Sequence, residues 1–180
     1  MAFERIRIIQ LNIVLLDADV IIDLHRLGIW DQIKKRNSIR ISSIILRQEV
    51  YFYKDERGYQ HPIDLLTDAG SKFQELSIDA RAMPEFVAHF DRSIREMLHL
   101  GEIEALCLLQ GNRDLLFCTS DKMAIKVIAL MGSSEQGISF ERLLKTSGIT
   151  KRLENKHSES YFKRYLKEGS IMRIQGAIKL

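Results

Sequence analysis

The sequence predicts an α/β protein with a central, mostly parallel β-sheet covered by helices on both faces, a three-layer α/β/α arrangement. Short apolar runs typical of buried strands, at 12–16 and 114–118, alternate with segments whose apolar residues recur at helical spacing. Acidic residues follow both runs, at Asp17 and Asp121. Parallel sheets bind ligands beyond the carboxyl ends of their strands, so the same pattern predicts where a site lies.

In the first half of the chain, NIVLLDADV is predicted to be a buried strand that runs into a turn. The following VIIDLHRLGIWDQIKKR has helical spacing interrupted by Gly28, and SIRIS is a short strand. SSIILRQEVYFY is predicted to be a helix with Ser42 or Ser43 as its N-cap. Residues 54–82 are polar and contain Gly and Pro, which favours a loop or an inserted segment, with FQELSI as a strand.

In the second half, Pro84 suits the first turn of a helix through PEFVAHFDRSIREMLHL, and we expect Gly101 to end it. EIEALCLLQ is predicted to be a more buried helix, DLLFCTS the next strand, and DKMAIKVIALMG a helix closed by Gly132. SFERLLKTSGI and KRLENKHSESYFKRYLKEG are predicted to be two further helices, of which the second is basic.

Length and charge predict one domain over 1–149 and a basic helical extension over 150–180 that packs on it or flanks it. Residues 142–180 contain ten Lys and Arg against three Asp and Glu, a charge of +7, whereas 1–141 carry −4. A basic segment on an acidic body suits an anionic partner, and a solvated helix face has the same composition.

The composition also excludes several classes of protein. No run of about 18 apolar residues exists to span a membrane, and MAFERIRIIQ lacks the uninterrupted apolar block of a secretion signal. Cys107 and Cys118 stand in no metal-ligand pattern, and we interpret both as reduced core residues. We therefore expect a cytoplasmic protein with no membrane association.

The acids around the first strand differ in their expected roles. Asp17 ends the strand two residues before the predicted helix, where no helix amide is an obvious partner, so it is the strongest functional candidate. Asp19 opens the helix and is expected to be its N-cap. Asp23 is expected to be a solvated carboxylate of the first turn.

Three glutamates lie on predicted helices. Glu104 sits in a helix that is apolar almost all round, where a carboxylate needs a cation or several donors, so we prefer it to Glu102. Glu102 lies in the first turn after Gly101, where the helix dipole favours it. Glu49 shares a face with apolar residues, and a head group that reaches solvent explains it equally well.

Asp121 follows a strand and precedes a helix, which fits either an N-cap or a site. Thr119 and Ser120 stand beside it and can hydrogen-bond a carboxylate or a water. Two carboxylates about 4 Å apart repel by roughly 4 kcal/mol at an effective dielectric constant of about 20, so converging acids must take up protons or a cation. Oxygen ligands without a Cys and His cluster favour Mg²⁺ or Mn²⁺.

Taken together, these segments resemble the motifs of the PIN-domain nucleases, known as toxins of toxin–antitoxin pairs. LLDADVIIDL is similar to the opening motif, ISSIILRQEV to the second, LHLGEIEALCLL to the third in its GExEA form, and LLFCTSDKMAIKVIALMG to the fourth. The resemblance covers about residues 12–149 and includes SFERLLKTSGI. Position 19, often Asn, Ser or Thr in that family, is Asp19 here.

The resemblance implies a PIN-like three-layer fold and a ribonuclease that uses Mg²⁺ or Mn²⁺ to activate water. Asp17 and Asp121 would bind the metal, Glu104 would bind it directly or through water, and Glu49 would hold a bound water. The residues that it assigns are Asp17, Glu49, Glu104 and Asp121, with Asp19, Glu102, Thr119 and Ser120 as additional candidates.

An RNA substrate needs positive charge around this acidic site. Lys122 beside Asp121 and Arg47 near Glu49 are the predicted RNA contacts, with the basic extension as a further source. Family resemblance also implies a homodimer and, for a toxin, an antitoxin partner. His25 and His99 have no evident catalytic partner and are interpreted as structural or surface residues.

Two other functions fit parts of the sequence. A haloacid-dehalogenase-like phosphatase also opens with a strand and DxD, and Asp17 would then be a covalent nucleophile and Asp19 a general acid. That family needs a later lysine and a further acidic pair, and it leaves Glu49 and Glu104 unexplained. The second alternative is a catalytically inactive PIN module that binds RNA or protein.

Overall fold

The structure, a computed structural model, describes residues 12–48, 51–67 and 73–178. The strands are β1 Ile13–Leu16, β2 Ser38–Ser42, β3 Phe52–Lys54, β4 Gln60–Pro62, β5 Gln74–Leu76, β6 Leu115–Cys118 and β7 Gly137–Ile138. The α-helices are α1 Ala18–Arg26, α2 Trp30–Arg36, α3 Ser43–Gln48, α4 Ala82–Ala88, α5 Arg92–Arg95, α6 Leu100–Gly111, α7 Lys122–Leu130, α8 Phe140–Thr146 and α9 Glu159–Ile174. Short 3₁₀ helices cover Ser134–Gln136 and Asn155–His157.

The central sheet is parallel throughout and has the strand order β5-β2-β1-β6-β7. The chain passes from β1 to β2 on one side and later returns to β6 on the other side, so the winding reverses between β1 and β6. Leu16 pairs with Cys118, which makes these two strands end level with each other. A reversal of this kind leaves a crevice at the carboxyl ends of the strands.

Residues of β1 alternate between two buried clusters, one on each face of the sheet. Val14 and Leu16 pack into the cluster that includes α1, α2 and α8, whereas Leu15 packs into the cluster that includes α4, α6, α7 and α9. The period of two follows from the pleat of a strand. The predicted three-layer α/β/α arrangement is confirmed.

The segment after α3 differs from the prediction. A helix through Tyr53 is wrong, because β3 pairs antiparallel with β4 in a hairpin outside the main sheet. The hairpin turn forms because Asp55 Oδ1 accepts from the N–H groups of Arg57 and Tyr59, and Gly58 supplies a φ of 82°. The predicted strand FQELSI is confirmed as β5.

The predicted long helix after Pro84 is also interrupted, because Asp91 adopts an extended conformation between α4 and α5. Gly101 does not break a helix: it lies in the first turn of α6, and the break falls at His99. Glu102 accepts from the His99 N–H at 2.9 Å, which fixes this helix start.

The basic extension ends in α9, which confirms the predicted basic helix with a later start behind the cap Ser158. The helix packs along α7 on the second face of the sheet. At Gly169 the contact is so close that a Cβ atom would lie 2.1 Å from the Lys126 carbonyl oxygen. The extension therefore packs directly on the sheet domain.

Further observations concern the cysteines and the apolar segments. Cys118 is buried and Cys107 is half-buried, and both are free thiols. Burial raises the pKa of Cys107 to about 12, so it remains protonated near neutral pH. In the described ranges, none of the helices combines enough length with enough apolar character to cross a membrane.

Candidate active site

The carboxyl ends of β1 and β6 bring Asp17 and Asp121 together. The Asp17 N–H donates to the Cys118 carbonyl at 3.0 Å, which extends the ladder between the two strands by one bond. The Thr119 hydroxyl donates to Asp17 Oδ2 at 2.5 Å, and its oxygen accepts from the Asp121 N–H at 3.1 Å. Thr119 therefore fixes the positions of both aspartates.

Both aspartates cap helices. Asp17 Oδ1 accepts from the Ala18 N–H at 2.8 Å, and Asp121 Oδ1 accepts from the N–H groups of Met123 and Ala124 at 2.7 and 2.9 Å. The expectation that Asp19 caps the first helix, and that Asp17 has no amide partner, is wrong. Because α1 begins directly after β1, Asp19 instead lies in its first turn.

A cavity of about 180 Å³ opens between these helix starts, where the winding of the sheet reverses. Its lining consists of Asp17, Ala18, Asp19, Ile45, His99, Gly101, Glu102 and Asp121. Four carboxylates from three separate parts of the chain thus face one small space. The chain segments that carry them begin α1, α6 and α7.

Glu102, the second choice on sequence grounds, is the glutamate that lines this cavity. Its side chain is held at the start of α6 by the His99 N–H, which donates to Oε2. The His99 ring is 3.7 Å from Oε1 and 85% exposed, so it gives little compensation for burying the charge. Glu102 itself is only 7% exposed.

Glu104, the preferred glutamate, is also buried but faces a different partner. Its Oε1 accepts from the Ser43 hydroxyl at 2.6 Å, and its Oε2 accepts from the Ile44 N–H at 2.7 Å. The several donors that a buried carboxylate needs are therefore supplied by the start of α3. Glu104 is absent from the lining of the acidic cavity and ties α6 to α3 instead.

Burial, together with the neighbouring acids, raises the pKa values of two carboxyl groups in the cavity. Burial, opposed by the bond from Thr119, raises the pKa of Asp17 to about 6. Burial also raises the pKa of Glu102 to about 8, and the charges of Asp121, Asp17 and Asp19 add to the rise. In the described part of the chain, no lysine or arginine forms an ion pair with any of the four carboxylates.

The donor chemistry of this cavity fits a hydrated divalent cation. Within the described ranges, no three His, Cys, Asp or Glu side chains are grouped as a ready metal site. Mg²⁺, however, commonly keeps several waters and is held by only one or two carboxylates. Asp121 Oδ2 accepts no hydrogen bond from the described residues and remains available as such a ligand.

Ser120 takes part in a different constellation. Its hydroxyl lies 2.7 Å from His157 Nδ1, and His157 Nε2 lies 2.6 Å from Asp23 Oδ2. Arg26 Nε donates to Asp23 Oδ1 at 2.7 Å, and Lys156 Nζ is 3.9 Å from Oδ2. The prediction of a solvated Asp23 is wrong, because this aspartate is 6% exposed and surrounded by basic groups.

The predicted RNA contacts lie in different surroundings. Arg47 forms two hydrogen bonds of 2.6 Å with the carboxylate of Glu75, whereas Lys122 is exposed beside Asp121 at the start of α7. Glu49 lies outside the described residues. Of the two histidines, His25 stacks on the Trp30 ring, and His99 borders the cavity, which the sequence did not indicate.

We compared the chain with known protein families, curated sequences and solved structures. No family model, curated protein sequence or solved structure matches the chain. The function must therefore be inferred from the geometry and chemistry of the acidic cavity.

Proposed function

We propose that the chain is a metal-dependent ribonuclease that hydrolyses RNA phosphodiester bonds in the acidic cavity with Mg²⁺ or Mn²⁺. The observation that carries this proposal is the convergence of four carboxylates on one cavity without a lysine or arginine partner among the described residues. Such carboxylates repel one another unless they take up protons or a cation. A hard cation with oxygen ligands removes that repulsion at neutral pH.

Asp17 and Asp121 are the proposed ligands, because they follow adjacent strands and are both fixed by Thr119. The bound ion would lower the pKa of a coordinated water and neutralise charge on the phosphate. Because Oδ1 of Asp121 accepts the hydrogen bonds from the amides of α7, Oδ2 is available to bind the metal ion. Thr119 holds Asp17 in one orientation and so limits the rearrangement that binding requires.

The other acids support this pair. Glu102 faces the cavity from α6 and would orient the attacking water, whereas Glu104, the glutamate that the resemblance assigns to the metal, does not line the cavity. Asp19 adds negative charge at the same cavity and is an additional candidate ligand. Glu104 positions α3 against α6 by its bonds to Ser43 and Ile44. Glu49 remains a predicted support for a bound water.

The biological partners remain predictions that depend on the PIN resemblance. An RNA substrate follows from the proposed reaction, whereas an antitoxin protein and a homodimer are family expectations only. The alternative of an inactive binding module predicts the same cavity without turnover.

The test is RNA cleavage by the purified full chain. Structured and unstructured RNAs are incubated with the protein in Mn²⁺, in Mg²⁺ and in EDTA, and the products are separated on denaturing gels. We expect cleavage that depends on the metal and disappears in Asp17→Asn. Asp114→Asn changes an exposed aspartate near the other end of β6 and should cleave like the wild type.

Three outcomes would contradict the proposal. Cleavage that persists in Asp17→Asn would place the activity elsewhere or in a contaminant. Absence of cleavage on every RNA, with Mn²⁺ bound, would favour the inactive module. Release of phosphate from p-nitrophenyl phosphate, without RNA cleavage, would favour the phosphatase with Asp17 as nucleophile.

A further inference from the structure

A surface of opposite charge borders the acidic cavity. We call it the aromatic–basic face, and it consists of Lys122, Lys126, Tyr161, Arg164 and Tyr165. Lys122 follows Asp121 directly and begins α7, and the other residues lie further along α7 and on the first half of α9. The border between the two surfaces therefore falls between consecutive residues of the chain.

Three basic groups gather around one tyrosine ring of this face. Lys126 Nζ and Arg164 Cζ each lie 5.4 Å from the centroid of the Tyr165 ring, and Lys122 Nζ lies 5.9 Å from it. These distances are within the range of cation–π attraction. The ring therefore concentrates positive charge on one patch of surface.

The positive charge of the face is only partly neutralised. Glu168 Oε2 is 2.9 Å from Lys126 Nζ, and Glu168 Oε1 is 3.2 Å from Arg164 Nε. Lys122 forms no ion pair with the described residues, so three basic groups share a single carboxylate. The face thus presents a surplus of positive charge next to a cavity with four acids.

The two tyrosine rings are themselves in contact. Their centroids are 4.7 Å apart and their planes meet at 67°, an edge-to-face arrangement, and both side chains are half-buried. The pKa of Tyr161 is raised by burial, by Tyr165 and by the charge of Asp121.

We propose that the aromatic–basic face binds the single-stranded segment of RNA next to the phosphodiester bond in the cavity. Lys122, Lys126 and Arg164 contact phosphates, and bases stack on the exposed parts of Tyr161 and Tyr165. A small phosphoester is too short to occupy both surfaces, whereas a polynucleotide combines negative charge with planar groups. The identity of the ligand depends on the proposed ribonuclease function.

The test measures binding without turnover. A short fluorescein-labelled single-stranded RNA is titrated with the full chain in EDTA, and fluorescence anisotropy is recorded at several salt concentrations. Lys122→Gln should weaken binding several-fold and reduce the slope of log affinity against log salt by about 0.7. Tyr165→Leu should weaken it about tenfold, and Tyr165→Phe, which keeps the ring, should bind like the wild type.

Arg113→Gln is the matched control, because Arg113 is an exposed cation near the opposite end of β6. Equal effects of Lys122→Gln and Arg113→Gln, with all variants folded by circular dichroism, would overturn the proposal. Unchanged binding in Tyr165→Leu would overturn it too. If the wild type cleaves RNA in a metal-dependent way but the Lys122 and Tyr165 variants bind RNA like the wild type, only the proposed role of the aromatic–basic face is refuted. If these variants bind RNA more weakly but no protein cleaves it, the ribonuclease proposal is refuted and the proposed RNA-binding face is supported.

Discussion

Asp17 caps α1 and Asp23 lies within it, and the two carboxylates are equally buried at 6% exposure but have different partners. Burial raises the pKa of Asp17, and the acids around it add to the rise. Burial also acts against ionised Asp23, yet its bonds with His157 and Arg26 hold its pKa below the usual range. The two sites lie about one helical turn and a half apart on α1.

The difference lies in the partners of the two carboxylates. Asp23 has basic partners from two parts of the chain, and it connects α1 to the segment before α9. The carboxylates of the cavity have helix amides and a hydroxyl, which orient them without neutralising them. Neither burial nor the lack of a cation is sufficient to mark a candidate site, because Glu104 is also buried and bonded only to a hydroxyl and an amide. Asp17 and Glu102 differ from Glu104 because they line one cavity with two further acids and have raised pKa values.

The largest expected effect on stability comes from removing the charge of Asp23, the aspartate that is paired with basic groups. Asp23→Asn leaves the fully buried His157 without its anionic partner, and we expect the free energy of unfolding to fall by about 3 kcal/mol. Urea denaturation measures this loss. Asp31→Asn, at a carboxylate that is 73% exposed, should change stability by less than about 0.5 kcal/mol. Equal effects of both variants would mean that the buried cluster has no special role in stability.

The next prediction concerns Asp17, the aspartate without a basic partner, and the binding of Mn²⁺. Asp17→Asn should lower the affinity for Mn²⁺ by about 100-fold, because it removes a proposed ligand. The free energy of unfolding should change by less than about 1 kcal/mol, because relief of the repulsion from the other acids offsets the bond from Thr119 or Ala18 that the amide group loses. Electron paramagnetic resonance of free Mn²⁺ measures the affinity, with Asp114→Asn as the control. An Asp17→Asn protein that binds Mn²⁺ like the wild type would remove this aspartate from the metal site.

The buried acids of the cavity should make the free energy of unfolding depend on pH. The folded pKa values of Asp17 and Glu102 lie above their ordinary values. At any pH between the ordinary and the raised value, the folded chain therefore binds more protons than the unfolded chain. Their contribution is complete below the unfolded pKa values and is lost as pH rises through about 6 and about 8.

We therefore expect the free energy of unfolding to fall by several kcal/mol from about pH 5 to about pH 8, with the larger part from Glu102. Saturating Mn²⁺ should flatten this slope, and Glu102→Gln should remove most of it. Asp23 has the opposite sign, and its contribution is lost only as pH falls below the ordinary aspartate range. Stability that rises over the same interval would contradict the assignment.

The smallest effect compares the two glutamates of α6. Glu104→Gln turns an amide group toward one of its two donors, Ser43 or Ile44, and should lower the free energy of unfolding by about 1 kcal/mol. Glu102→Gln keeps the cap of α6 and is neutral at every pH. Near neutral pH it avoids the cost of protonating a buried carboxyl on folding, so it should raise stability by about 1 kcal/mol. Thermal unfolding curves compare the pair, and a reversed order would exchange their assigned roles.

The sequence predicted the location of Asp17 and Asp121 because a parallel sheet places the residues after its strands at one edge. It predicted the three-layer fold for a related reason, since strand and helix periodicities are local patterns. The sequence alone does not indicate whether Glu102 or Glu104 lines the cavity. The helix α6 is apolar on most sides, and only its orientation against the sheet decides which glutamate meets the cavity.

Contacts between distant parts of the chain were also missed. His157 and Asp23 lie 134 positions apart, and nothing near either residue indicates the other. The prediction extends a helix into the first two residues of β3, because SSIILRQEVYFY has apolar residues at helical spacing up to Tyr53. A Gly, Asp and Arg turn at 55–58 was the available indication of the β3–β4 hairpin.

The backbone bond from the Asp17 N–H to the Cys118 carbonyl has a kinetic consequence. Because it continues the ladder between the two central strands, its opening requires the middle of the sheet to separate. The Asp17 amide should therefore exchange its hydrogen with solvent more slowly than the amides of the β3–β4 hairpin, which lies outside the main sheet and opens through local fluctuations. The geometry of the acid pair then persists for as long as the chain stays folded.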